Sequence, residues 1–186
     1  MYRFLLIIYI FLISLTMSAY EHTYPDLNDL DAILNRHNEI TLAKIQSIES
    51  KKYILVNTDS MTERYNICDS LFHDYSSFQL DSALSYANRK LKIAKQLQDR
   101  KHIDRSIIEM ANMYIQAGMN MQSYELLQQL DRSQLDPALL QDYYSINNNL
   151  YEFLSQFALN KTVRDGYKQT AKAYRDSVLM HEPNDM

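Results

Sequence analysis

The sequence predicts an all-α protein of stacked helical hairpins, an α-solenoid. Three observations predict it. Between Ile103 and Pro137, large and small residues recur three and four positions apart in two blocks separated by Gly118, the spacing that puts residues on one face of a helix. A related block lies upstream, where Ala83 stands in the place of Ser123 at an offset of 40 positions (123 − 83). The whole chain of 186 residues holds two glycines and three prolines, too few for the many turns of a β-sandwich. Hydrophobic residues at 46% and charged residues at 23% match ordinary globular usage and exclude a disordered chain, and the length suits one core-forming domain.

Residues 1–19, MYRFLLIIYIFLISLTMSA, read as a secretory signal peptide. Arg3 is the basic start, Phe4 to Ile13 is an unbroken apolar run, and Ser18 and Ala19 are small residues at the expected cut. The run is short for a membrane span, which needs about 20 apolar residues, so an uncleaved anchor is the alternative. No cysteine follows the run, which argues against a lipid-modified N-terminus. Residues 20–60 follow as capping helices: Leu27, Leu30, Ile33 and Leu34 form a helical stripe, and Ile40, Ile45 and Ile48 lead a second, more charged stretch that ends at Val56.

Residues 61–180 read as about three helical hairpins, with 181–186 as a tail. In the first, Ile67, Leu71 and Tyr75 make one apolar stripe, and LDSALSYANRKLKIAKQLQD supplies the second helix, with extra residues near Gln96 to Lys101 lengthening it and its link. In the second, Met110, Ala111 and Tyr114 share a face, Ala111 allowing close helix approach. Gly118 then ends the helix in the left-handed conformation that glycine adopts without penalty. Ser123, Leu127 and Leu130 repeat the spacing on the next helix, and Asp136-Pro137 starts another, the carboxylate capping free N–H groups and proline fitting the first turn. In the third, Leu140, Tyr144, Leu150, Tyr151 and Leu154 mark a long helix, FALNKTV a long connection, and Tyr167, Ala171 and Tyr174 the partner helix.

These positions resemble the tetratricopeptide pattern of about 34 residues. The sequence departs from it at Ser123 and Leu130, where the pattern has alanines, and at Leu127, where it has an aromatic residue. An ordinary helical bundle without repeat kinship is the alternative.

Residue supply removes most enzyme classes. Gly118 and Gly166 are the only glycines, so there is no phosphate-cradling loop, dinucleotide fingerprint or nucleophile elbow. The histidines at 22, 37, 73, 102 and 181 never fall at the spacing that puts two metal ligands on one helical face, and no cofactor or metal is expected. The carboxylates of DLNDLD, Asp26 to Asp31, suit a helix start. Cys68 is the single cysteine and sits among Ile67, Leu71 and Phe72; with no partner for a disulfide it reads as a small core residue. The fifteen tyrosines suit helices that bury the ring and leave the hydroxyl at the edge. The net charge of −4 does not favour a phosphate backbone, and the basic residues of NRKLKIAKQLQDRK, Arg89 to Lys101, are expected to spread round the polar side of their helix. Nucleic-acid binding is therefore not expected.

The segments LNDLDAILNRHNEI, LFHDYSSFQLDSALSYANRKLKIAKQLQD, MYIQAGMNMQSYELLQQLD and YYSINNNLYEFL, with AYRDSVL, resemble the periplasmic tetratricopeptide half of membrane-anchored regulators common in Bacteroidetes. The resemblance implies an exported, non-catalytic sensory or protein-interaction module. Relatives of this kind are expected to continue through a transmembrane helix to a cytoplasmic output region, and the chain ends at HEPNDM without one. On the tetratricopeptide pattern the first helix of each hairpin lines the inner curve, which makes Arg105, Ile108, Asn112, Ile115, Gln116 and Asn149 the candidate residues for a protein or peptide partner. Asn112 can hold an extended backbone through both its donor and its acceptor. Two alternatives stand beside this reading. An envelope enzyme with a carboxylate site would show a deep polar pocket with two close acids, and a structural protein would self-associate through exposed repeat ends.

Overall fold

The computed structural model describes residues 27–181; the signal-like segment 1–19 and residues 182–186 lie outside them. Helix α1 is Leu27–Asn57, α2 Met61–Ser76, α3 Leu80–Leu97, α4 Arg100–Gln116, α5 Asn120–Leu127, α6 Pro137–Phe157 and α7 Lys161–His181, with a 3-10 turn at Arg132–Gln134. No strand occurs among the described residues. None of these helices is long and apolar enough to cross a membrane.

Two compact units divide the chain, 1–45 and 46–186, and α1 carries residues of both. Where the sequence suggests two nearly continuous helices before the first hairpin, the structure has one, with no glycine or proline to interrupt NRHNEITLAKIQ. In the first unit Leu30, Ile33, Leu34, Ile40, Leu42 and Ile45 are all exposed. In the second unit Ile48 and Leu55, two turns apart, are buried, and Lys51 pairs with Asp74 of α2 at 2.5 Å.

Three hairpins follow, α2 with α3, α4 with α5 and α6 with α7, and α4 also packs on α3 and α6. Each junction has a local cause. The Ser60 side chain accepts from Glu63 N–H to start α2, and Asp99 accepts from His102 N–H to start α4. Gln98 ends α3 in the left-handed region, with φ of 54°, and Gly118 does the same after α4, with φ of 74°. Asp136 caps α6 at Ala138 N–H, with Pro137 in the first turn. The connection between α6 and α7 is the short stretch 158–160, not the long link that FALNKTV suggests. Asn160 caps Thr162 and Val163, and Arg164 donates two hydrogen bonds to Ala158 O.

The small residues Ala83, Ala87, Ala94, Ala111, Ser123 and Ala171 are all fully buried where helices cross, which lets the backbones approach. Helix α5 stops at Leu127, so Leu130 lies beyond it in the following turn, still buried. Tyrosines fill the third hairpin: Tyr151 stacks on Tyr174 at 5.8 Å between ring centroids, and Tyr143 meets Tyr174 edge-on at 6.1 Å.

Candidate functional site: the groove between the first two hairpins

Helices α2 and α4 are the first helices of consecutive hairpins, and between them runs a groove of about 370 Å³. Phe72, His73, Ser76 and Ser77 form one wall, and Glu109, Asn112, Met113 and Gln116 the other. The spacing 109, 112, 113, 116 is one face of α4, and 72, 73, 76 one face of α2. Two sequence candidates, Asn112 and Gln116, therefore line one groove, Asn112 half-buried and Gln116 exposed.

The other candidates are placed differently. Arg105 and Asn149 are exposed, and Ile115 is half-buried against the core. None of the three lines this groove. Ile108 is only 1% exposed and belongs to the core. The repeat pattern puts it on the inner curve, but α4 is enclosed by α3, α5 and α6, so little of its circumference stays open.

Beside the groove lies a charged cluster that spacing alone does not suggest. Lys90 of α3, expected on the polar side of its helix, is completely buried. Its ammonium donates to Asp69 Oδ1 of α2 at 2.5 Å and to Glu109 Oε2 of α4, and it lies 4.5 Å from the centre of the Phe72 ring. A signal for this was present: Ala83, Ala87, Lys90 and Ala94 share one helical stripe, and all four are fully buried. His73 Nε2 stands 3.8 Å from Asp69 and 3.9 Å from Glu109. Asp69, His73 and Glu109 have the donor types of a metal site and lie close together, but the Lys90 ammonium already supplies a positive charge to both carboxylates.

Chemically, the groove offers two neutral amides, two serine hydroxyls, one imidazole, the Glu109 carboxylate held by Lys90, and apolar surface from Phe72 and Met113. Amides and hydroxyls both donate and accept, which matches an extended peptide backbone. No tyrosine lines it. Two close acids are present, the feature expected of a carboxylate enzyme, but they are bound to one buried cation. Cys68, on α2, is fully buried, and burial pushes its thiol up, opposed by the Arg89, Arg64 and Lys90 charges.

Neither the curated proteins nor the solved structures include a significant match to the chain. The model of one family does match, over residues 34–186, and it is described as the SusR N-terminal TPR domain. The match spans all three hairpins and most of α1, and tetratricopeptide stacks are in general protein-interaction folds that present extended concave surfaces. The chain belongs to the SusR N-terminal tetratricopeptide-repeat domain family.

Proposed function

We propose that this chain is an exported, non-catalytic interaction or sensory module that binds a protein or peptide along the inner curve of its hairpin stack. The observation that carries this reading is the groove between α2 and α4, where Ser76, Asn112 and Gln116 offer paired donors and acceptors over apolar Phe72 and Met113. The engagement of Asp69 and Glu109 by Lys90 supports binding rather than acid–base catalysis, because general acid–base work needs a carboxyl group free to exchange its proton. Family membership supports the interaction role, and the apolar N-terminal run supports export. The relevant regulators would use such a module as their sensing half.

The test is affinity capture from the native cell envelope, comparing the wild-type chain with Asn112→Ala plus Gln116→Ala, with circular dichroism melts to establish that both fold alike. A partner held by wild type and lost by the variant is the expected result. Identical capture by the two proteins, or none by either, overturns the groove assignment.

A further inference from the structure

The same first hairpin has a second concavity, lined by Met61 and Arg64 of α2 and by Arg89, Lys92, Ile93 and Gln96 of α3, with a volume of about 430 Å³. We propose that it binds a phosphoryl or sulfate group.

Its three charged side chains are all cations. None of Arg64, Arg89 and Lys92 forms an ion pair with a carboxylate among the described residues. The contrast with Lys90 is direct. It lies next to Arg89 in the sequence yet holds two carboxylates on the other side of the helix, so one hairpin keeps a compensated cation inside and an uncompensated set at its surface.

The positions converge for simple reasons. Residues 89, 92, 93 and 96 occupy one face of α3, and Met61 and Arg64 lie one turn apart at the start of α2. Burial of Ile93 and the partial burial of Arg64 and Met61 form the floor. Arg89 also lies 5.5 Å from the centre of the Tyr86 ring, which restricts its guanidinium to one side. Arg64 and Arg89 line this same concavity from two different helices. Two guanidinium forks, an ammonium and the Gln96 amide can donate together to the oxygens of a tetrahedral anion, and arginine matches such oxygens bidentately. The volume lies within the range of small-ligand sites. The group can come from a soluble phosphorylated or sulfated molecule or from a lipid headgroup.

The experiment is titration calorimetry of the full chain with inorganic phosphate, pyrophosphate and sulfate, at ionic strength held constant with chloride, together with sedimentation on phosphatidylglycerol vesicles. The expected result is saturable binding that weakens about tenfold in Arg89→Gln and again in Lys92→Gln, one charge-assisted hydrogen bond each. Lys168→Gln, an exposed lysine on α7, should leave it unchanged. Because Arg89 and Lys92 are exposed, both variants should melt with wild type. Binding of the free anions alone assigns a soluble ligand, and binding of vesicles as well, lost in the same variants, assigns a headgroup. No saturable binding of any probe, or binding equal in all variants, overturns the proposal.

Discussion

Lys90 Nζ stands 2.5 Å from Asp69 Oδ1 and also donates to Glu109, so one buried ammonium ties together three helices of two hairpins. A buried ion pair adds little over a well-packed apolar replacement, but removing one partner strands the others. Lys90→Met should therefore destabilise the fold by about 3 kcal/mol, the low end for such a break because both carboxylates keep some contact with water. Adding Asp69→Asn and Glu109→Gln to Lys90→Met should recover most of the loss. Urea unfolding of the single and triple variants checks both statements.

Overpacking at a helix crossing tests the hairpin geometry. Ala111 is fully buried between Met110 and Met113, on a helix enclosed by three others. Ala111→Leu should cost about 1–3 kcal/mol, whereas Asn112→Ala next to it should stay within about 0.5 kcal/mol. Thermal melts of the two variants distinguish them.

Acid should weaken the caps. A bond from the His102 N–H holds the Asp99 carboxyl below its usual value of 3.8, bonds from Ser133 do the same for Asp131, and Lys101 with the Ala138 N–H does so for Asp136. A folded pKa below the unfolded one gives stability that is present above pH 3.8 and is lost as pH falls through the folded value. Melting temperature should fall below about pH 4, and fall less in Asp99→Asn with Asp136→Asn. Equal slopes would contradict the assignment.

Alkali acts through the tyrosines with the opposite sign. Burial pushes Tyr65 and Tyr174 up to about 12 from the usual 10.0, so the folded state disfavours their charged form. The stability they contribute is complete below pH 10 and is lost as pH rises from 10 toward 12. The tyrosinate absorbance of Tyr65 and Tyr174, read as the difference between wild type and the Tyr65→Phe, Tyr174→Phe variant, should rise only as helicity is lost.

Cys68 gives a simple readout of core integrity. Its side chain is fully buried and its thiol is held protonated by that burial. Reaction with a thiol-specific disulfide reagent should be slow in buffer and fast in denaturant. In Lys90→Met the native rate should rise, since the adjoining core opens more often.

Much of this fold is legible in the sequence because its breaks are chemically marked. The stripes through Ala83 and Ala111 name crossings of the hairpins, and Gly118 and the Asp136-Pro137 pair name two of the helix ends. The single long α1 is harder to read, because a change in charge density along NRHNEITLAKIQ resembles a boundary although nothing in it breaks a helix. The candidate groove is legible only in part. Asn112 and Gln116 follow from the repeat position, but Ile108 shows that the pattern describes a direction and not an exposure. Lys90 is hidden by its own chemistry: a lysine among charged neighbours reads as surface unless the alanines at 83, 87 and 94 are used to fix its face.

Helix α5, Asn120–Leu127, has only eight residues, far short of the length at which a helix persists without support. It is held by the burial of Ser123 and Leu127 against its neighbours, and the chain then leaves it through a 3-10 turn before α6 begins. The stack therefore has a soft joint in its middle: amide hydrogens of α5 should exchange through local opening, well before those of α4 and α6 on either side. A partner that spans the second and third hairpins would stiffen this joint, and slowed exchange there would report its arrival even if it never touched α5.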